Sequence, residues 1–337
     1  MSHSQSEYGL ITIGNAMVDV IAKADETYIQ QQDKDFGMKK GSMNLVDAGR
    51  ALTLYGDMKD PIQMSGGSAG NTMACFCSFG GKGAYIGKVA DDALGKVFID
   101  SLKDIGVDYE TTLLEEGPST GRCMILVTPD GERTMNTYLG AANELTPKDI
   151  DEEFIARGKV VYLEGYLYDP PKAMEAFVKA ARIAHESGRQ VSLTLSDSFC
   201  VDRHRESFKD LVSHHVDILF ANEDEIISLY EVKTLDEALD KVQHDCALVA
   251  VTRSEKGSVI IDSGRRINID AVPVEQAVDT TGAGDAYAAG FLFGYTNGDD
   301  LKTCGHYGSV AASHIISQIG PRPSVPLSDL IKDKQAA

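Results

Sequence analysis

The sequence is short of positive charge. Thirty-two lysines and arginines stand against 51 aspartates and glutamates, a formal net charge of -19 over 337 residues. A nucleic-acid partner needs a basic face, so none is expected. An anionic ligand remains compatible, because backbone amides and a few local cations suffice to hold one. Long apolar runs are also missing. No stretch approaches the roughly 18–20 residues of a membrane span, and Asp19 interrupts the first hydrophobic run. No membrane partner and a cytoplasmic location are therefore expected. The six cysteines, at 75, 77, 123, 200, 246 and 304, form no pair of Cys-x-x-Cys units. Structural zinc is not expected, and the thiols read as small buried hydrophobes in a reducing compartment. A P-loop is absent too, since Gly87-Lys88 is followed by Val89 rather than Ser or Thr. No internal repeat or low-complexity segment is present.

What remains is an ordinary globular composition, 43% hydrophobic and 25% charged, long enough for one large α/β domain or two smaller ones. Periodicity predicts a buried strand over 8–13, helices over 46–58, 69–79 and 92–105, and a strand over 84–89. Residues 24–45 look mixed and polar. Two β-rich runs, 121–127 and 133–138, flank Pro129-Asp130-Gly131-Glu132 and predict a hairpin. A second series follows: strand 160–163, helix 171–187, strand 191–195, helix 203–213, strand 216–220, helices near 223–244, then strands at 247–252, 258–262 and 266–270. Strands alternating with helices imply a parallel sheet covered on both faces. A helix over 301–317 and an extended tail, Ile319 to Pro326, close the pattern.

The most informative stretch is Asp279-Thr280-Thr281-Gly282-Ala283-Gly284-Asp285, running into apolar residues at helical spacing from Tyr287 to Tyr295. It reads as a tight loop becoming the first turn of a buried helix. A helix start offers unpaired N–H groups and roughly half a positive charge, and Gly282 and Gly284 leave the backbone open to an anion. Asp285 puts a carboxylate beside that anion hole. Such a carboxylate either complements the helix dipole or takes a proton from a hydroxyl while the amides hold a phosphoryl group. Elsewhere, Gly14-Asn15-Ala16-Met17-Val18-Asp19 ends the first strand, where ligands sit in open α/β sheets. In Gly66-Gly67-Ser68-Ala69-Gly70-Asn71, two glycines permit close approach and Ser68 can cap the next helix. Asn222 caps a helix whose first turn holds Glu223, Asp224 and Glu225, so a purely structural account of that motif exists.

The loop from Asp279 to Asp285 resembles the C-terminal signature of the ribokinase-like (PfkB) carbohydrate kinases, and the other motifs follow in that family's order over nearly the whole chain. The resemblance implies a single domain over 1–337, a three-layer α/β/α core with a mostly parallel central sheet, and a small β lid formed mainly by 21–46 and 118–140. It implies phosphoryl transfer from MgATP to an alcohol. Asp285 is then the catalytic base, and Gly282, Ala283 and Gly284 form the anion hole. Arg133 resembles the family arginine that reaches the transferred phosphate. Asn15, Asp19, Gly66, Gly67 and Asn71 would bind the acceptor's hydroxyls, with Tyr166 facing the substrate. Asn222 and Glu225 match the Asn-x-x-Glu element that positions Mg²⁺, and Thr252 and Gly257 the ATP turn. A potassium ion near Asp279, Thr281, Gly320 and Ser324 is a further implication. The register is most similar to the adenosine kinase branch, with Met43, Leu45 and Met135 placed to sandwich a purine. A free sugar (ribose, fructose or a ketodeoxy sugar acid), another nucleoside, and a silent nucleotide or sugar sensor are the alternatives. Family lids are found in monomers and in homodimers.

Overall fold

The computed structural model describes residues 6–332. Strand β1 (Tyr8–Ile13) leads to β2 (Met17–Lys23), helix α1 (Glu26–Phe36), β3 (Met43–Leu45), α2 (Ala48–Asp57) and β4 (Ile62–Gly66). Next come α3 (Ser68–Ser78), β5 (Gly83–Ile86), α4 (Ala93–Asp104) and β6 (Asp108–Tyr109). The hairpin β7 (Gly121–Val127) and β8 (Arg133–Tyr138) precedes a regular alternation. It runs α5 (Glu152–Ala156), β9 (Gly158–Glu164), α6 (Pro171–Glu186), β10 (Gln190–Thr194), α7 (Ser198–His215) and β11 (Ile218–Asn222). Then follow α8 (Glu223–Tyr230), α9 (Leu235–Asp245), β12 (Leu248–Thr252), β13 (Ser258–Asp262) and β14 (Arg265–Ile269). Helices α10 (Ala283–Asn297), α11 (Leu301–Ile316) and α12 (Leu327–Lys332) complete the described chain.

Nine strands make the central sheet, in the order β14-β13-β12-β11-β10-β9-β1-β5-β6. Seven of them, β12 through β6 in that order, pair in parallel, and the hairpin β13–β14 adds an antiparallel edge. The pleat sends neighbouring residues of each strand to opposite layers. Ile11, Val161 and Leu193 enter an apolar cluster with Phe177 and Ala180 of α6. Leu10, Val160 and Tyr162 enter another with Met73 of α3 and Phe291 of α10. Helices on both faces of a largely parallel sheet give the α/β/α architecture expected from the alternation. No described helix is long and apolar enough to cross a membrane.

A second sheet of five strands, β3-β8-β7-β2-β4, covers one end of the first. Segments 21–46 and 118–140 supply β3, β7 and β8, but β4 and the start of β2 lie outside those boundaries. Two other local expectations differ. Residues 17–23 form a strand where a loop was expected after β1, because β2 gains partners on both sides that its own sequence does not reveal. Residues 26–36 form a helix that buries only Ile29 and Gln32, too few apolar positions to produce a periodic signal. The helical stretch near 223–244 is broken by Glu231 in the left-handed region, and Thr234 starts α9 with a capping box.

Candidate active site

The carboxyl ends of β1, β9, β10, β11 and β12, the first turn of α10 and one face of the small sheet enclose a cavity of about 1150 Å³. Ligands are expected at this edge of an open parallel sheet. Of the residues singled out in the sequence, Asn15, Asp19, Met43, Leu45, Gly67, Asn71, Arg133, Met135, Tyr166, Asn222, Glu225, Thr252, Gly257 and Thr281 to Asp285 all line it. Gly66, Asp279, Gly320 and Ser324 do not.

Helix α10 starts with Gly282 in the left-handed conformation, φ 79°, where a Cβ would also lie 2.5 Å from the Pro321 side chain. Only glycine fits there. Gly284 is different: a Cβ on it would meet nothing within 4 Å, so its bareness keeps space open on the cavity side of the helix start. Asp285 sits in that first turn. Its Oδ1 accepts from Ser68 Oγ at 2.5 Å and its Oδ2 from Asn71 Nδ2 at 3.2 Å. Burial pushes its pKa up to about 6, against the pull of those two donors and of Arg322. A carboxylate of that strength is ionised at neutral pH and still a competent proton acceptor. Ser68 is no cap: Gly67 holds the N-cap position of α3 and makes no side-chain bond, while the Ser68 hydroxyl is spent on Asp285.

Glu164 carries no role that the sequence analysis assigned, yet it is the most buried acid of the site, 1% exposed. It accepts from the backbone N–H of Ala69 at 2.7 Å, from Asn15 Nδ2 at 2.8 Å and from Asn15 N at 3.2 Å. Burial raises its pKa to about 7 against those donors. Asn15 and Asn71, read from sequence as substrate binders, thus donate to Glu164 and Asp285. Their carbonyl oxygens, Oδ1 of each, are buried without a partner, which leaves two acceptors in the cavity wall for a ligand hydroxyl. The signal for Glu164 was a lone acid ending the buried run Val160-Val161-Tyr162-Leu163.

Strand register builds the opposite wall. Leu45 pairs with Thr137, Thr137 with Cys123, and Cys123 with Asp19, so all four share one face of the small sheet. Met43, Met135 and Ile125 form the next row on that face. Met43 and Leu45 are 46% and 60% exposed, so they are open to the cavity rather than packed beneath the sheet. Asp19 is the acid in this apolar surface, its pKa raised to about 6 by burial and opposed by Arg322 and Arg133. Its carboxylate rests against Gly66, where any Cβ would collide with it. Gly66 therefore makes room for the acid and does not itself line the cavity.

Arg133 is neither exposed nor free. Its Nη1 lies 2.9 Å from Asp279 Oδ2, with the two side chains only 7% and 10% exposed. Asp279 also accepts the N–H groups of Thr281 and Gly320, each at 2.9 Å. Arg133 lines the cavity, but this pair ties β8 of the small sheet to the loop before α10. The same geometry bears on potassium. The Asp279 carboxylate is filled by a guanidinium and two amides, and the Ser324 hydroxyl bonds Gln318 at 2.5 Å. Asp279, Thr281 and Gly320 do meet here, but the Asp279 carboxylate and the Ser324 hydroxyl are engaged by these partners rather than turned to a common ion.

At the other end of the cavity, Asn222 and Glu225 form a reciprocal capping box, with Glu225 N donating to Asn222 Oδ1 at 2.8 Å and Asn222 N to Glu225 Oε2 at 2.9 Å. Burial lifts Glu225 to about 7. Both residues face the cavity while serving as the cap. No three His, Cys, Asp or Glu side chains gather as a metal cluster among the described residues. Asn222 and Glu225 are the residues that would meet a magnesium ion carried by a nucleotide in this cavity. Gly257 is demanded by its positive φ and by the backbone of Ile269, which a Cβ would strike. Sequence reading missed the wall beyond it, where Val272, Pro273, Val274, Ala312 and Ile316 make an apolar slot.

The chain as a whole is similar to known proteins. A model of the pfkB family carbohydrate kinases matches residues 57–327. The chain belongs to the pfkB family of carbohydrate kinases. It is a phosphotransferase with an alcohol group as acceptor. The crystal structure of adenosine kinase from Sinorhizobium meliloti is 51% identical, with a TM-score of 0.88 and coverage of 98% of this chain and 100% of that one. A probable sugar kinase from Rhizobium etli CFN 42 is 47% identical, with a TM-score of 0.90 and coverage of 99% and 100%. Adenosine kinase of Saccharomyces cerevisiae is 28% identical over 348 residues, 95% of this kinase and 98% of its relative. The ribokinase-like fold of this kinase is the one its sequence led us to expect.

Proposed function

We propose that this kinase transfers the γ-phosphoryl group of MgATP to the 5′-hydroxyl of adenosine, giving AMP and ADP. The observation that carries this reading is the wall of the small sheet. Met43, Leu45, Met135 and Ile125 offer an apolar surface wide enough for a purine, with Asp19 as the acid beside it. A free sugar has only a small patch of C–H groups to set against that row, far less than a purine. One carboxylate accepts two hydroxyls well, so Asp19 suits the 2′,3′-diol of a ribose, and Asn15 and Asn71 offer their unpartnered oxygens to the same ring. The relative from Sinorhizobium meliloti, named an adenosine kinase, supports the same acceptor.

In this reading the acceptor hydroxyl lies between Asp285 and the N-terminus of α10. Asp285 takes the proton as the oxygen attacks the γ-phosphorus, the bond to the β-phosphate oxygen breaks, and ADP leaves. Backbone N–H groups of Gly282 to Asp285 hold the charge on the transferring group, a contribution of about 3–4 kcal/mol per well-placed donor by analogy with oxyanion holes. Magnesium arrives with ATP as part of that substrate. Thr252, Gly257 and the apolar slot of Val272 to Val274 take the nucleotide. The kinase acts as a single domain in which the five-stranded sheet is the lid. Its closure excludes water, the competing acceptor. Six free thiols among the described residues, none in a disulfide, support a cytoplasmic setting.

The relative from Rhizobium etli, named a probable sugar kinase, favours a second reading with a free sugar as acceptor. An acceptor panel separates the two: ADP release with adenosine, inosine, guanosine, ribose, fructose and a ketodeoxy sugar acid at equal concentration. Adenosine giving the highest kcat/KM by at least tenfold is the expected result. A free sugar ahead of every nucleoside overturns the proposal.

A further inference from the structure

The tail after α11 crosses the site and leaves a half-buried cation there. Pro321 packs on Gly282 at the start of α10, and the next side chain, Arg322, turns in beneath the segment 65–70. Its Nη2 donates to the Ser65 carbonyl at 2.5 Å and to Ser65 Oγ at 3.0 Å, and would lie 3.6 Å from a Cβ on Gly70. Its Nε is buried with no partner. Among the described residues no carboxylate pairs with this half-buried side chain, so its charge is left to act on the acids nearby. The other side of the same segment explains its presence. Gly66, whose peptide begins at the Ser65 carbonyl, carries the Asp19 carboxylate, while Ser68 and Asn71 hold Asp285.

We propose that Arg322 is a positioning residue whose charge, delivered beneath the 65–70 segment by the C-terminal tail, keeps Asp19 and Asp285 ionised together in the empty and acceptor-bound site. Two carboxylates in one cavity disfavour each other's ionisation, and burial disfavours both. Arg322 is the cation whose charge bears on each of them. The other groups facing Asp285 are Ser68, Asn71 and Cys75 of α3, Glu164 and Tyr162 of β9, Tyr166 after it, Glu225 of α8 and Asp19 of β2. Those facing Asp19 are Arg133 of β8 and Cys123 of β7. Arg133 is paired with Asp279, and the rest are neutral or acidic, so no other group can replace Arg322. The inference rests on the reading of Asp285 as the base, whichever alcohol is the acceptor.

The test is the pH dependence of kcat/KM from pH 5 to 9, on the acceptor that the panel ranks first, for R322Q, R322M and R322K. Wild type loses activity below about pH 6, the value for Asp285. Loss of one nearby opposite charge moves the acid limb of R322Q and R322M upward by about one pH unit. Their kcat/KM then falls about fivefold at pH 6 and by less than about 1.5-fold at pH 8.5, and R322K keeps a limb close to wild type. R322M is the safeguard on folding, because its apolar stem suits a half-buried site and removes the desolvation cost. A loss of equal size at every pH, or an R322K profile matching R322Q, overturns the proposal and makes Arg322 a packing residue. D285N, measured beside them, tests the base separately: its failure to lose activity refutes the reading of Asp285, while an unmoved limb in R322Q and R322M refutes only the role of Arg322.

Discussion

Replacing Asp285 with Asn removes the base while sparing the fold, and the structure allows the cost to be worked out. Asp285 has two donors on it, Ser68 Oγ on Oδ1 and Asn71 Nδ2 on Oδ2. An asparagine keeps one oxygen for the Ser68 hydroxyl and turns an NH₂ toward Asn71, donor against donor. Asn71 can answer by rotating its own amide, since its Oδ1 is buried without a partner. The exchange restores both bonds, so the fold loses about 1 kcal/mol at most. Chemistry loses far more. A positioned base contributes about 10²–10⁴-fold, or about 2.7–5.5 kcal/mol of barrier, so kcat of D285N falls by two to four decades. Its KM for ATP stays within about threefold, because the nucleotide slot lies beyond the helix start. With both substrates saturating, so that the titration of Asp19 drops out, wild-type kcat also falls below about pH 6 as Asp285 takes up a proton, and the mutant's residual kcat shows no such limb. Coupled ADP release over pH 5–9 measures both. A mutant retaining kcat within threefold, or keeping the limb near pH 6, would falsify the assignment of Asp285 as the base.

Three further outcomes are expected. D19N, which keeps the shape but accepts hydroxyls weakly, raises the acceptor KM by about 10–100-fold and leaves the ATP KM unchanged, as initial rates on each substrate will tell. D279N breaks the buried pair with Arg133 and strands a guanidinium that is 7% exposed; the melting temperature falls by at least about 4 °C, and a mutant melting with wild type shows the pair to be dispensable. The empty kinase is less stable at pH 8 than at pH 5.5. Glu164 and Glu225 have folded pKa values near 7, above those of an unfolded chain, so the folded state binds the extra protons. That stabilisation is whole below about pH 4.5 and is lost as pH rises through 7. Thermal melts without ligand read this directly, and E164Q should flatten the slope; a melting temperature that climbs between pH 5.5 and 8 contradicts the reasoning.

The sequence by itself determined the α/β alternation, the loop of Asp279 to Asp285 and the family to which the chain belongs. These are local properties. A buried strand, an amphipathic helix such as α6 and a glycine with positive φ each leave a mark within a dozen residues. Asn15, Asp19, Asn71, Asn222, Glu225 and Asp285 of the cavity could be named from the same local motifs, whereas Glu164 could not.

Tertiary structure alone decided what those residues do to one another. Asn15 meets Glu164 across 149 positions, Arg133 meets Asp279 across 146, and Arg322 meets Ser65 across 257. No propensity or spacing encodes such pairs. They exist because parallel pairing brings the ends of β1 and β9 side by side, and because the tail returns beneath the small sheet. The same holds for the apolar wall, whose members come from three strands, β3, β7 and β8, and share a face only through their register. Burial then sets the strength of each acid, since removing a carboxylate from water costs more than its neighbours return. That balance of desolvation against nearby charge is a property of the folded chain, written in no single segment of it.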